Sequence, residues 1–442
     1  MNFFKKIFSP LVLIISFLFL IYTSYKSEIY WDGNRRDYFF TYYIISLLLI
    51  FFSISTFFIS KKKKEYLIIL SVSLIISLYL FESYLSFNNQ FFKEQTLKEK
   101  LYKNQTGKKW DKRSKFQMYM DQKKVNDNTS IRVNPNFFLN TNESIFPLSS
   151  MSYSETVHCN ENGYFAIYLS DRHGFNNPDK EWEQNEIEYL LVGDSFTHGA
   201  CVNRPHDISS VLRKLSNKSV LNLGYGNNGP LIELATLREY LHPKVKKVLW
   251  IYYEENDFKD LNKELINKIL ISYLNNSNFN QNLKSRQNEV DEIVSNYLEN
   301  KIIYKKIKKE GVNTYYIKKL NKFVKLSKIR SSLLHNKQLP KPPMEFKKIL
   351  QLAKDLTTKN NSKLYFIYLP SYNRYKSKYD NSNYDYVKNV VSELNIPFID
   401  IDKKVFQKEE NPLKLFPFGL FGHYNVEGYK KVSDTIYNYT KD

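Results

Sequence analysis

A small hydroxyl group follows a short apolar run near the middle of the chain. Residues 189–192 have the composition of a buried strand, and Gly193, Asp194 and Ser195 come directly after them. Open α/β sheets bind their ligands where parallel strands end, so a serine at this point can act as a nucleophile. An ordinary strand-to-helix turn uses the same residue types, because glycine, aspartate and serine are all turn formers. The segment therefore predicts a candidate nucleophile at Ser195, and the rest of the chain must support it.

Three further segments carry groups suited to acyl chemistry. A glycine-rich turn at residues 222–230 can direct backbone N–H groups into a cleft. Asn256 follows another strand-like run and can donate its amide N–H to a developing oxyanion. His423 lies on a loop just before the last predicted helix, where it can serve as general base for a serine. Asp194 is interpreted as a turn residue that supports Ser195.

Strand-like and helix-like stretches alternate from Glu188 onward, which predicts a parallel sheet with helices on both faces. A Lys/Asn-rich insertion at about 258–343 interrupts this pattern and shows patches of helical periodicity. We interpret it as a helical subdomain or lid near the site, since long bare loops are uncommon; the alternative is a mobile surface excursion. The predicted strands are 189–193, 219–224, 247–253, 363–369 and 397–401, and the predicted helices are about 206–217, 230–241, 345–359, 383–394 and 426–440.

Three apolar runs at the N-terminus, residues 8–25, 38–60 and 66–87, are long enough to span a bilayer. No small-residue cleavage site follows the first run, which favours a retained helix over a signal peptide. Four consecutive lysines at 61–64 mark the loop between the second and third runs as cytoplasmic. The sequence therefore predicts a multi-pass membrane protein with a cytoplasmic N-terminus and a periplasmic or extracellular C-terminal part.

Charge and cysteine content restrict the function classes. The chain of 442 residues has a formal net charge of +20, but Lys, Asn, Ile and Tyr are abundant together and no nucleic-acid motif is found, so we expect no nucleic-acid partner. Neither zinc-ribbon nor thioredoxin spacing is found for the two cysteines. Cys159 and Cys201 could form a disulfide outside the cytoplasm or could be two unrelated buried thiols. We expect no metal site and no cofactor.

Three regions follow from these patterns. Residues 1–87 are predicted to be a membrane anchor with three transmembrane helices, and residues 88–130 a polar linker or stalk. Residues 131–442 are predicted to be the catalytic domain, including the insertion at about 258–343.

The order Gly193-Asp194-Ser195, glycine turn, Asn256-Asp257 and C-terminal His423 resembles the SGNH (GDSL) hydrolase superfamily over residues 188–442. The resemblance implies a flavodoxin-like three-layer α/β/α sandwich and ester hydrolysis or acyl transfer through a serine. It implies Ser195 as nucleophile and His423 as base. It further implies an oxyanion hole formed by the N–H of Ser195, the N–H of Gly226 or Asn227, and the side chain of Asn256.

Two positions depart from the family pattern. Glu254 occupies the place of a glycine in the third motif. The acid that usually precedes the histidine is also absent, since Leu420 and Phe421 occupy those positions. Either a Ser–His dyad works with a backbone carbonyl, or a distant acid substitutes, with Asp400 and Asp402 as the nearest candidates in sequence.

We expect a membrane-anchored serine hydrolase that acts on ester bonds, by cleavage or transfer of an acyl group. The outward location favours a carbohydrate ester of the envelope or surface as substrate, with the lipid bilayer and a further membrane protein as partners. The alternative is a non-catalytic envelope protein that keeps the fold for carbohydrate binding or assembly. The missing acid before His423 is the observation that favours it.

Overall fold

The computed structural model describes residues 2–31, 33, 36–87, 90–310, 320–333, 342–376, 379 and 381–441. The chain divides into two compact units. The first comprises Met1–Asn89 together with Asn313–Asn336, and the second comprises Gln90–Val312 together with Lys337–Asp442.

The first unit contains three long apolar helices, α1 (Asn2–Ser24), α2 (Arg36–Ser55) and α3 (Lys61–Phe87). A π-helical segment, Tyr25–Tyr30, continues α1. Stretches of 25, 18 and 26 residues in these helices are long and apolar enough to cross a membrane. Small polar residues join α1 to α2, with the hydroxyls of Ser16 and Ser53 2.9 Å apart, as is common between membrane helices. Many large apolar side chains of these helices point outward, as lipid-facing side chains do.

The second unit is built on a five-stranded parallel sheet with strand order β5-β4-β6-β7-β8. This is the 2-1-3-4-5 order of the flavodoxin-like fold. The sheet confirms the predicted alternation, because each predicted strand overlaps an observed one. The strands are β4 (Ile187–Gly193), β5 (Val220–Asn222), β6 (Val245–Tyr253), β7 (Lys363–Leu369) and β8 (Phe398–Asp400).

Helices cover both faces of this sheet, which gives three layers. Alternate residues of β4 enter two separate cores: Leu190 and Val192 pack on one face, and Tyr189 and Leu191 on the other. This is the two-residue period of a strand that is buried on both sides. The flanking helices are α7 (Ile208–Ser216), α8 (Pro230–Tyr240), α13 (Glu345–Lys359), α14 (Tyr384–Glu393) and α16 (Val426–Thr440).

The segment between the apolar helices and the sheet, which includes the predicted linker or stalk at 88–130, belongs to the second unit from Gln90 onward. It forms α4 (Gln90–Thr106) and α5 (Lys115–Lys123). A small sheet follows, in which β1 (Thr129–Ile131) pairs parallel to β2 (Glu155–Val157) and β2 pairs antiparallel to β3 (Ile167–Leu169). The composition of this segment is polar on average, but four of its large side chains are buried, namely Tyr102, Trp110, Met118 and Tyr119.

The insertion after β6 contributes to both units. Its first part forms α9 (Asp257–Glu264), α10 (Lys268–Asn275) and α11 (Gln287–Glu310). Leu270, Tyr273 and Val290 from this part enter one of the two sheet cores. Its later part includes α12 (Ser327–Leu333), which belongs to the first unit. There Glu82 of α3 accepts hydrogen bonds from the N–H groups of Lys328 and Ile329, both at 2.9 Å.

The remaining short helices are α6 (Ser195–His198), directly after β4, and α15 (Ile401–Lys404), directly after β8.

Candidate active site

Ser195 is the first residue of α6, directly beyond the end of β4. Asp194 caps this short helix by accepting the N–H of Phe196 at 2.9 Å, the supporting role that the sequence predicts for it. Gly193 is required at the strand end, because a Cβ there would lie 2.1 Å from Oγ1 of Thr197. The close approach of α6 to the strand end leaves Ser195 partly exposed above a buried turn.

Ser195 and His423, which are 228 residues apart in sequence, are joined by a hydrogen bond of 2.9 Å between Oγ and Nε2. The other ring nitrogen of His423, Nδ1, lies 3.0 Å from Oε1 of Glu161. Oε2 of Glu161 also accepts the backbone N–H of His423 at 2.7 Å. With Nδ1 protonated towards the carboxylate, Nε2 is free to accept the proton of the serine hydroxyl. The arrangement is a serine–histidine–carboxylate triad.

The carboxylate of this triad is Glu161, so the two candidates drawn from sequence proximity, Asp400 and Asp402, are wrong. Asp400 caps α15 and accepts the hydroxyl of Tyr384 at 2.6 Å. Asp402 accepts the hydroxyl of Tyr375 at 2.6 Å and pairs with Arg374. Both ring nitrogens of His423 are occupied by Glu161 and Ser195, which also removes the dyad with a backbone carbonyl. Closeness in sequence to the histidine is no guide here, because the acid arrives from the region before the sheet.

A disulfide ties the segment that carries Glu161 to the segment that follows the nucleophile. Cys159 is bonded to Cys201, and their Cα atoms lie 5.1 Å apart. The side chain of Asn162 donates to the carbonyl of Cys201 at 2.9 Å, next to the same bridge. Of the two cysteine states that the sequence allows, the structure contains the disulfide. This pairing was the signal that could have found Glu161, because it brings a residue two positions from Cys159 close to the serine loop.

A glycine makes room for the acid beside the histidine. A Cβ at Gly422 would lie 2.7 Å from Oε2 of Glu161, so the bare backbone lets the carboxylate reach the N–H of His423. Lys98 of α4 donates to the carbonyl of Phe421 in the same loop at 2.7 Å. The ring of Phe196 lies 4.8 Å from the ring of His423, centroid to centroid, and packs against it.

Glu161 and His423 each shift the pKa of the other towards the charged form. Burial alone would lower the pKa of His423, but the adjacent Glu161 carboxylate raises it, and the net pKa lies above the ordinary value of 6.5. Burial opposes ionisation of Glu161, yet the charge and hydrogen bonds of His423, with a contribution from Lys98, bring its pKa below the ordinary value. Glu161 is therefore an anion at neutral pH, placed where a carboxylate can stabilise an imidazolium at His423.

The predicted oxyanion-hole residues lie at the ends of three neighbouring strands. Ser195 follows β4, Gly226 and Asn227 follow β5, and Asn256 follows β6. Adjacent strands are about 5 Å apart, so groups that follow their ends meet at one edge of the sheet. The N–H of Tyr225 donates to the carbonyl of Gly193 at 3.1 Å and joins the glycine turn to the nucleophile turn.

Donor groups at this edge are available to a ligand. Ser195 is the first residue of a helix, so its N–H has no partner within that helix. No hydrogen bond is found for the N–H groups of Gly226 and Asn227 within the described part of the chain. The amide of Asn256 donates to Oδ2 of Asp260 at 2.7 Å, which fixes its orientation and leaves its second N–H for a ligand. The set is suited to stabilising an oxyanion.

Glu254 and His198 both have structural roles. Glu254 is buried and pairs with Arg374, accepts the hydroxyl of Tyr368 at 2.8 Å and accepts the N–H of Ser371 at 2.7 Å. It thereby joins the ends of β6 and β7, where the family pattern has a glycine. His198 is fully buried, and its Nδ1 lies 3.0 Å from the carbonyl of Gly224.

Glu161, Cys201 and His423 also have ligand-type atoms within 4.8 Å of one another. The sulfur of Cys201 is held in the disulfide, and the carboxylate and imidazole are bonded to each other. These three groups therefore already have partners, in the disulfide and in the hydrogen bond between Glu161 and His423.

Similarity between this chain and known proteins is found among solved structures. No protein-family model matches the sequence, and comparison with curated proteins finds no match either. Among solved structures, the chain is similar to a candidate lipolytic protein of the G-D-S-L family from Desulfitobacterium hafniense DCB-2, with TM-score 0.32 and 13% identity, over 57% of this chain and 99% of that one. It is also similar to the protein YXIM of Bacillus subtilis, with TM-score 0.31 and 12% identity, over 57% of this chain and 55% of that one.

The sheet order, the four motif segments at its edge and the serine–histidine–carboxylate geometry agree with one another. The sheet order and the order of these segments are the features in which the chain resembles the SGNH (GDSL) hydrolase superfamily.

Proposed function

We propose that the protein is a serine hydrolase that acts on ester bonds, with Ser195 as nucleophile, His423 as base and Glu161 as orienting acid. The observation that carries the proposal is the continuous hydrogen-bonded chain from Glu161 through His423 to Ser195. A carboxylate that fixes the histidine tautomer and a histidine nitrogen on the hydroxyl are what an activated serine requires.

In the proposed reaction, Oγ of Ser195 attacks the ester carbonyl carbon while Nε2 of His423 takes the hydroxyl proton. The negative charge on the carbonyl oxygen is met by the N–H donors of Ser195 and the glycine turn and by the amide of Asn256. The carbon–oxygen bond to the alcohol then breaks, and His423 returns the proton to that alcohol. An acyl group remains on Ser195, and water or an acceptor hydroxyl removes it by the same steps in reverse.

Hydrolysis of p-nitrophenyl acetate by the full chain, purified in detergent, tests the proposal. Ser195→Ala should remove the activity, since Ser195 is the hydroxyl that is hydrogen-bonded to the candidate base His423. Ser285→Ala is the matched control, because this exposed serine makes a local hydrogen bond to the carbonyl of Asn282. Equal rates for Ser195→Ala and the unmodified chain would refute the serine mechanism.

We further propose that the second unit lies on the outer side of a membrane and acts on carbohydrate esters of the envelope. Three helices long enough to span, the four lysines at 61–64 and a disulfide support this location. Cleavage and transfer can be distinguished by adding an unacylated oligosaccharide to the assay. Transfer gives an acylated oligosaccharide, whereas hydrolysis gives only free acid.

A non-catalytic role in carbohydrate binding or assembly is the competing proposal. Its support in the sequence was the absent acid before His423, and Glu161 occupies that role. The hydrogen-bonded triad therefore favours catalysis over simple binding.

A further inference from the structure

Part of the guanidinium group of Arg132 lies buried beside the glycine turn of the candidate active site. Arg132 directly follows β1, and its side chain packs on the glycine turn, where a Cβ at Gly226 would lie 2.5 Å from Nη1. Nε and Nη1 of Arg132 are buried and have no hydrogen-bond partner among the residues that the structure describes. A buried cationic group in this state costs free energy, so such groups are usually paired with an anion.

The groups around Arg132 do not neutralise it. Burial lowers the pKa of His158 and His198 well below the ordinary value, and burial raises the pKa of Tyr168 well above it, so these neighbours are uncharged at neutral pH. The acid that interacts electrostatically with Arg132 is Asp194. Asp194 accepts the N–H of Phe196, and no hydrogen bond between Asp194 and Arg132 is found among the described residues.

Arg132 also forms part of the wall of a cavity of about 600 Å³. Cys159 and Asn160, the residues directly before Glu161, belong to the same wall, so the cavity lies beside the triad. The two acids of the wall are each paired with a neighbouring base, Glu99 with Lys112 at 2.6 Å and Asp111 with Arg113 at 2.6 Å. The wall contains six charged residues, four basic and two acidic, namely Lys112, Arg113, Lys115, Arg132, Glu99 and Asp111.

We infer that Arg132 binds an anionic group of the ester substrate, so that the enzyme prefers acidic acyl-bearing glycans to neutral ones. A carboxylate or phosphate is the partner that the planar guanidinium fork of arginine fits best. The inference rests on the proposed function, since it concerns the substrate of the same serine. Trp110 and Phe165 in the cavity wall add apolar surface on which a sugar ring can pack.

A matched pair of substrates tests the inference with the full chain in detergent. One is an acetylated oligogalacturonate, and the other is the same oligosaccharide with its carboxylates methyl-esterified; released acetate is measured for both. Arg132→Gln should lower the ratio of kcat/KM for the acidic substrate to kcat/KM for the esterified substrate by about tenfold or more. Arg132→Lys should restore part of the loss, and Arg286→Gln, at a half-buried arginine paired with Glu289, should not change this ratio.

The result that overturns the inference is an equal loss for acidic and neutral substrates, which would make Arg132 an oxyanion donor or a structural group. Binding to Ser195→Ala separates this failure from a failure of catalysis. The acidic oligosaccharide should raise the melting temperature of Ser195→Ala, and Arg132→Gln in that background should abolish the rise. An equal rise with the methyl-esterified oligosaccharide would also overturn the inference. Loss of esterase activity in all forms, with this binding intact, would contradict the proposed function only.

Discussion

At the scale of single residues, Glu161 is the strongest test of the triad. Glu161→Gln keeps the shape of the side chain but removes the charge that stabilises the imidazolium, and it favours the wrong tautomer of His423. We expect kcat to fall by about 10²- to 10⁴-fold. Asp400→Asn is the matched control, since asparagine can also cap α15 and Asp400 makes its contacts away from His423. A loss of activity in Asp400→Asn alone would contradict the assignment.

The pH dependence of kcat/KM follows from the histidine. His423 must be neutral to accept the serine proton, and the Glu161 carboxylate outweighs burial to raise its pKa above 6.5. Activity should therefore rise with pH, with its half-maximal point above 6.5. In Glu161→Gln the raising charge is absent, so the same limb should shift to lower pH. A profile from about pH 5 to about pH 9 for both forms tests the sign of this shift.

Adding a single methyl group at Gly422 should lower kcat. Its Cβ would lie 2.7 Å from Oε2 of Glu161, so Gly422→Ala must displace the carboxylate from the His423 backbone. We expect kcat to fall while p-nitrophenyl acetate still binds, because the cleft itself is not filled. The loss should be no greater in a Gly422→Ala/Glu161→Gln double variant than in Glu161→Gln. Additive losses would show that Gly422 acts elsewhere.

At the scale of elements, the disulfide connects the acid-bearing loop to the nucleophile loop. Cys159 and Cys201 are 42 residues apart in sequence, and closing a loop of this length stabilises a fold by about 2–4 kcal/mol. The double variant Cys159→Ser/Cys201→Ser should have a lower melting temperature. Its kcat, measured at a temperature at which the variant is still folded, should also be lower, because Glu161 is then held less firmly. Unchanged kcat would mean that the hydrogen bonds around Glu161 are sufficient to position it.

At the scale of the whole molecule, orientation across the membrane can be measured. Lys62 lies in the first turn of α3, within the four lysines, and Lys359 lies on an exposed part of α13; each is replaced by cysteine, as Lys62→Cys and Lys359→Cys. A membrane-impermeant maleimide should label Lys359→Cys in intact cells and Lys62→Cys only after permeabilisation. The reverse pattern would place the catalytic unit in the cytoplasm.

The hydrogen bonds between α3 and the start of α12 should contribute to the stability of the first unit. Glu82 accepts the N–H groups of Lys328 and Ile329 at the start of α12. Glu82→Ala would leave both donors unpaired, at a cost on the order of 1–3 kcal/mol. Its melting temperature in detergent should fall, and Glu82→Gln, which keeps one acceptor oxygen, should lose less. Equal stability of all three forms would exclude a role for this contact.

The sequence by itself predicted the parallel sheet, the candidate membrane spans and the strand ends at which most of the candidate site residues lie. Buried strands such as Tyr189–Val192 are recognisable because both faces are apolar, and the chemistry follows them because parallel strands end at a common edge. Ser195, Asn256 and His423 could be placed from local pattern alone. The three apolar runs are equally local, since a bilayer span needs only length and composition.

The tertiary structure decided what depends on contacts between distant segments. Glu161 comes from a mixed segment without periodicity, and it meets His423 beside the Cys159–Cys201 bridge and Gly422. No local pattern encodes which of many acids reaches a histidine 262 residues away. The same holds for Arg132, since the absence of a partner for a buried charge is a property of everything packed around it.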